Sequence, residues 1–209
     1  MDPKNVLDEA EIRGILIRER FYRDTSQWKK MRKCYHANAS STLIDISWYR
    51  GDIDGFIRES EKMAEHGTVA IHTIQPVDIA VKGSKAFAQS IGTISTRIQK
   101  DDTAYDLVAH CRLLSRLQQV DATVVSLSSW KMLSIEMVYV QDQIIPIVPA
   151  AISEQPGFLE SVASKRKSYR FLSWAMEQKG YKINNELPGT DLCGSVKELL
   201  DRNEAWILS

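Results

Sequence analysis

The side chains able to do chemistry in this 209-residue chain are scattered. The histidines, His36, His66, His72 and His110, show no HxH or HxxxH spacing, so no metal site is expected. Cys34, Cys111 and Cys193 are odd in number and lack CxxC spacing, which indicates neither a disulfide framework nor a zinc site. Histidine and carboxylate side chains can also transfer protons. A neutral imidazole can take a proton from a carbon beside an activating group, while a carboxylate fixes its tautomer and stabilises the imidazolium that develops. A leaving group on the neighbouring carbon can then depart without a cofactor, and none is expected. Such general acid/base help is worth about 10² to 10⁴ in rate. From the residues alone two readings stand for Asp24 and His72: an acid–base pair of this kind, or an aspartate that caps or ends a helix and a strand histidine satisfied by backbone.

Aromatic residues offer a second kind of contact. Tyr22, Trp28, Trp48 and Tyr49 fall around three N-terminal helices, where tyrosine hydroxyls could orient a phenolic or carbonyl substrate and tryptophan could stack on it; core packing is the alternative. In the stretch from Tyr105 to Leu117, alternation puts Tyr105, Leu107, Ala109, Cys111 and Leu113 on one face and Asp106, His110, Arg112 and Arg116 on the other. The apolar face is read as the concave one.

The elements that must position these groups are legible in outline. From Asp8 to about Tyr22 the apolar residues recur at helical spacing, with Asp8 as cap. Ser26 can cap a short helix through Trp28, Met31 and Cys34, so two helices meet at Asp24. Ser41 to Tyr49 is extended or irregular, and Gly51-Asp52 opens a third helix that ends at His66-Gly67. After Gly67 four long β-branched stretches read as antiparallel strands, the last running to Pro149, with turns at 82–85, 100–102 and 119–122. Beyond Pro149 the pattern returns to helix, from Phe158 to Gly180 and from Gly194 to Ile207, around a Pro188-Gly189 loop. The run Lys165-Arg166-Lys167 reads as a solvated face with no partner. Helices followed by a curved meander form an α+β plan. Residues 1–150 are expected to form one conical domain and 151–209 a helical extension packed on it.

Composition narrows the function classes. Lysine plus arginine and aspartate plus glutamate both total 27, so no global field recruits nucleic acid or an anionic membrane surface. No window approaches a membrane span and the polar, acidic start does not read as a secretory signal, so a cytoplasmic location is expected.

Several stretches in this order, FYRDTSQWKKMRKCYHANA, WYRGDIDGFI, AIHTIQP, HCRLLSRLQQVDA and WKMLSIEMVYVQDQIIPIVP, resemble the SnoaL-like, nuclear transport factor 2-like superfamily. The resemblance implies a curved antiparallel sheet forming a conical barrel, covered by the N-terminal helices and enclosing a pocket. In scytalone dehydratase and hexachlorocyclohexane dehydrochlorinase, an acid at the end of the first helix lies beside a strand histidine in the pocket. Asp24 and His72 match those positions, which implies a catalytic dyad. By the same resemblance Cys111 and Leu113 join Tyr22, Trp28 and Tyr49 as candidate substrate contacts. The dehydrochlorinase type also carries a lysine five before its aspartate, and many relatives an arginine five after the strand tryptophan. This chain has Glu19 and Ile135 there, so dehydrochlorination is not expected and a departing anion lacks its usual assistance.

The resemblance implies a cofactor-independent lyase or isomerase, of dehydratase or cyclase type, acting on a small hydrophobic metabolite of polyketide or terpenoid character. A non-catalytic small-molecule binding protein and a small subunit of a ring-hydroxylating oxygenase are the alternatives. It also implies a homodimer or homotrimer.

Overall fold

The computed structural model describes residues 3–100, 103–120, 129–147 and 158–209. Helix α1 (Pro3–Asp24) buries Ile12, Ile15 and Leu16 along one stripe. Asp8 lies inside this helix rather than capping it: it accepts the Trp130 indole N–H at 2.9 Å and pairs with Lys4. Glu11 accepts the Trp130 backbone N–H, also at 2.9 Å, so the start of α1 is pinned to the sheet. Its last residue is Asp24. Ser26, expected as a cap, sits at φ 55° in the tight reversal, and Gln27 precedes α2 (Trp28–Arg32) without a side-chain cap bond. Helix α3 (Ile53–Glu65) is capped by Asp52, whose carboxylate accepts from the Gly55 N–H at 2.7 Å, and buries Ile53, Phe56, Ser60 and Met63. It stops before Gly67, where φ of 76° suits glycine.

Between α2 and α3 the irregular segment contains two short strands, β1 (Leu43–Ile46) and β2 (Tyr49–Gly51). The long strands are β3 (Ala70–Lys82), β4 (Lys85–Lys100) and β5 (Thr103–Gln119). The stretch read as one final strand is two, β6 (Trp130–Met132) and β7 (Ser134–Pro146), both paired with β5. The turns expected at 100–102 and 119–122 fall partly outside the described residues. The sheet order is β2-β1-β7-β5-β4-β3, with β6 also on β5, and only β1 and β7 pair in parallel. The sheet therefore curves around the core without closing.

Register sets which side chains turn inward. His72 stands opposite Ile94, and Ile94 opposite Ala109. The pleat puts these three on the concave side with Leu107, Cys111 and Leu113, all three buried. His110 and Arg112 fall on the other face. Phe56, Trp130 and Tyr35 are the large side chains sealed beneath the helices, each contributing about 1.5–3 kcal/mol by burial.

The C-terminal residues treat the two faces differently. The helix expected from Phe158 to Gly180 is broken into α4 (Phe158–Ala163) and α5 (Arg170–Gln178). The basic run causes the break: Arg166 makes a two-point bond to Asp191 at 2.6 and 3.0 Å, and the Ser168 hydroxyl donates to the same carboxylate at 2.7 Å. Lys165 pairs with Glu177, so Lys165 and Arg166 are partnered, while Lys167 is exposed. Asp142 on β7 accepts the Leu172 N–H at 2.8 Å and fixes the start of α5 over the concave side. Helix α6 (Ser195–Leu208) lays Leu199 and Ile207 on Phe87, Leu114 and Val138, on the convex side. Residue 151, the expected boundary of the extension, lies outside the described residues. Among the described residues no helix is long and apolar enough to cross a membrane.

Candidate active site

The inward stripe of α1 changes character along its length. Ile12, Ile15 and Leu16 are apolar, but the next positions of the same stripe are Glu19, Arg20 and Arg23, followed by Asp24. Glu19 is fully buried, bonded to Arg20 through both carboxylate oxygens and to the Tyr35 hydroxyl at 2.8 Å. A charge so deeply buried persists only when paired.

Strand β3 lies against α1, and its inward residue His72 meets the end of that helix. The His72 ring Nδ1 is 2.6 Å from Asp24 Oδ1, and the His72 backbone N–H donates to Asp24 Oδ2 at 2.6 Å. One carboxylate thus holds both the ring and the main chain of the histidine. An ionised Asp24 accepts from Nδ1–H, which leaves Nε2 as the lone-pair nitrogen. Nε2 makes no hydrogen bond among the described residues.

Burial pushes the His72 pKa down to about 4; the bond to Asp24 opposes this, and the charges of Arg23 and Arg20 reinforce it. For Asp24 burial acts upward, but the bonds to His72 and the charge of Arg23 outweigh it and hold the carboxyl below its usual range. The stable state near neutral pH is therefore imidazole beside carboxylate.

His72 lines a largely closed cavity of about 40 Å³, space for about three waters. Most of its wall is apolar: Phe56 and Met63 come from α3, Ile94, Leu113 and Met137 from the sheet, and Leu172 and Met176 from α5. Three of these residues are methionines, whose flexible side chains let such a wall re-form around a larger guest. The polar part consists of Arg20, Arg23, Ser47, Thr68, Thr96 and Tyr139 beside His72. Two wider grooves of about 310 and 380 Å³ flank the C-terminal tail, but neither contains Asp24 or His72.

Of the five expected substrate contacts, Leu113 reaches this cavity. Tyr49 does not: its hydroxyl donates to the Asp52 carbonyl at 2.8 Å and its ring packs on Trp48 and Phe56. Tyr22 and Trp28 are half-buried packing residues at the helix junction, and Lys30 lies over the Tyr22 ring. Cys111 points inward but is covered; its thiol donates to the Gly92 carbonyl at 3.5 Å, and burial pushes its pKa up to about 12, which disfavours the thiolate. Trp48 is the aromatic of that group that lines the cavity.

The residues missed in the sequence are the cations. Glu19 and Ile135 replace the familiar lysine and arginine, yet Arg20 and Arg23 bring positive charge to the same cavity from α1 itself. Their signal was present, since both continue the period of Ile12 and Leu16 where an amphipathic helix would place apolar residues. Ser47 and Tyr139 carried no such signal. Their approach, with the Ser47 N–H donating to the Tyr139 hydroxyl at 3.2 Å, joins residues far apart in the chain.

The model of a family described as "SnoaL-like domain" matches residues 4–134. The pea pathogenicity protein 2 of Fusarium vanettenii is 23% identical over 172 residues, covering 80% of this chain and 69% of that protein. A candidate scytalone dehydratase from Novosphingobium aromaticivorans superposes with a TM-score of 0.55 at 13% identity, covering 74% of this chain and 100% of its own. A type 2 hexachlorocyclohexane dehydrochlorinase does so with a TM-score of 0.51 at 11% identity, covering 76% and 99%. At these identities the likeness establishes a shared fold, one that proteins bearing lyase names use.

Proposed function

Because this chain belongs to the SnoaL-like domain family, with His72 held at two points by Asp24 on the wall of a mainly apolar cavity, we propose that it is a cofactor-independent lyase or isomerase acting on a small hydrophobic metabolite. The Asp24–His72 geometry carries this reading. Neutral His72 takes a proton from a carbon next to an activating group through Nε2. Asp24 fixes the tautomer and stabilises the imidazolium as it forms. The imidazolium then returns the proton, to a departing hydroxyl in a dehydration or to another carbon in a double-bond shift. Burial by α3 and α5 keeps water away and strengthens these interactions. The methionine-rich wall suits an apolar guest larger than the resting cavity.

Proton abstraction is tested without knowing the natural substrate. A panel of small β-hydroxy ketones and enones is incubated with the protein in heavy water and examined by mass spectrometry. The expected result is deuterium at the carbon beside the carbonyl, or loss of water, with either signal falling at least about 10²-fold in Asp24→Asn and His72→Gln. If both variants match the wild type, the mechanism is wrong. The mainly apolar, methionine-lined wall also suits a binding protein, the second reading, which predicts compounds retained in the cavity with no exchange.

A further inference from the structure

Arg23 is three residues beyond Arg20 on the inward face of α1, and its situation differs. Arg20 is fully engaged with Glu19. Arg23 has a side chain only 9% exposed, lines the cavity, and makes a single ion pair of 3.5 Å from Nη1 to Asp24, the carboxylate already holding His72. Its Nη2 reaches only the Met63 sulfur, at 4.0 Å. Among the described residues its buried Nε–H has no acceptor, and the buried Ser47 hydroxyl in the same cavity has no partner. An unmet charged donor in an apolar site is costly unless something else completes it.

The charges around the cavity add a constraint. Arg20 and Arg23 are balanced by Glu19 and Asp24, and His72 is neutral, so the buried group carries no net charge. A neutral guest preserves that balance. Proton transfer from its carbon to His72 also preserves it, since imidazolium and oxyanion appear together, whereas a carboxylate guest would leave a buried negative charge in excess.

Resting on the lyase or isomerase reading, we propose that Arg23 is a catalytic residue that binds the carbonyl oxygen of an uncharged substrate and holds the negative charge arriving there. In this step the carbon–hydrogen bond breaks, the proton moves to Nε2 of His72, and the electron pair passes into the carbonyl, leaving an enolate on the Arg23 Nε–H. In a dehydration the enolate re-forms the carbonyl, the carbon–oxygen bond of the neighbouring hydroxyl breaks, and the imidazolium supplies the proton that makes water. The atoms balance and no other reagent is required. A hydrogen bond to the developing oxyanion acts more strongly in the transition state than on the bound ketone, as a catalytic donor must.

4-Nitrophenol imitates this intermediate, since its proton can pass to His72 while its oxygen meets Arg23, and the phenolate has its own absorption band. At about one unit below the free phenol's pKa, where about a tenth of the free compound is ionised, binding to wild-type protein is expected to increase the phenolate band well beyond that fraction. Arg23→Met should bind it at least about tenfold more weakly and without that increase. His72→Gln should still bind the compound but as the neutral phenol. 4-Nitrobenzoate, of similar shape but permanently charged, should bind wild type at least about tenfold more weakly than the phenol. If Arg23→Met fails to fold, Arg23→Lys replaces it, with weaker binding and a diminished band expected. The proposal is overturned if binding to wild type does not increase the phenolate band, if the Arg23 variant used matches wild type, or if the benzoate binds as well as the phenol. This readout is equilibrium binding, so it can fail while deuterium exchange succeeds, and the converse.

Discussion

The Asp24 carboxylate bonds the ring of His72 through one oxygen and its backbone N–H through the other, each at 2.6 Å. Because the main chain is included, the grip aligns β3 with the end of α1 as well as orienting an imidazole. The fold and the proposed chemistry would share this contact, which links their pH dependences.

His72 has a folded pKa of about 4 against an ordinary 6.5. Between those values the unfolded chain takes up a proton that the folded chain refuses, so stability falls as pH drops from about 6.5 to 4. Asp24 is depressed below its ordinary 3.8, so its contribution is present above that value and is lost at lower pH. Both effects have the same sign. Urea unfolding followed from pH 7 to pH 4 should therefore show a steeper loss of stability in wild type than in His72→Gln. Equal slopes would contradict neutral burial of His72, and nitrogen NMR of the ring should show the Nδ1–H tautomer throughout the upper part of the range.

Glu19, Arg20 and Tyr35 form a buried network behind the cavity. Glu19→Gln leaves Arg20 without its counter-charge and should cost about 3–5 kcal/mol. Tyr35→Phe removes one bond to a charged acceptor and should cost about 1.5–3 kcal/mol. The double variant should fall short of the sum by at least about 0.5 kcal/mol in chemical denaturation, since both changes break the same contact.

Asp142 caps α5 from the sheet, and burial raises its pKa to about 6 despite the N–H groups it accepts. Here the sign is opposite: the folded state keeps a proton that the unfolded state loses above 3.8, so stability declines as pH rises through about 6. Asp142→Asn resembles the protonated form. Its melting temperature relative to wild type should increase between pH 5 and 7.5, and a constant difference would refute the assignment.

Leu172 and Met176 place α5 in the cavity wall, which makes the C-terminal extension part of the candidate site. Met176→Ala should lower stability by about 2–5 kcal/mol and leave a larger apolar space. Xenon pressed into crystals of the variant should occupy that space at higher level than in wild type. Unchanged occupancy would mean that the wall collapses around the deletion.

Much of the plan was legible from local pattern. The helices around Leu16 and Phe56 announce themselves by period, β3 to β5 by alternation, and the concave face of β5 by the apolar run Leu107, Ala109, Cys111 and Leu113. Asp24 and His72 could be singled out because their neighbours in the chain resemble a family. Tyr49, expected from its place among the N-terminal aromatics, and Cys111, expected from the resemblance, lie off the cavity surface, because inward direction and cavity contact are different properties: the Tyr49 hydroxyl donates to the Asp52 carbonyl and the Cys111 thiol to the Gly92 carbonyl.

By itself, then, the sequence determined where α1, α3 and the long strands β3 to β5 run and which face of β5 turns inward, since periodicity depends on residues a few positions apart; the cap expected at Ser26 and the single strand expected before Pro149 did not form. Only the tertiary structure decided that α5 closes the cavity, that Arg166 breaks the tail helix to reach Asp191, and that Arg20 and Arg23 stand where Glu19 and Ile135 seemed to leave the site without a cation. Those outcomes depend on partners distant in the chain, and burial gives a charge its role by deciding which groups remain near enough to answer it.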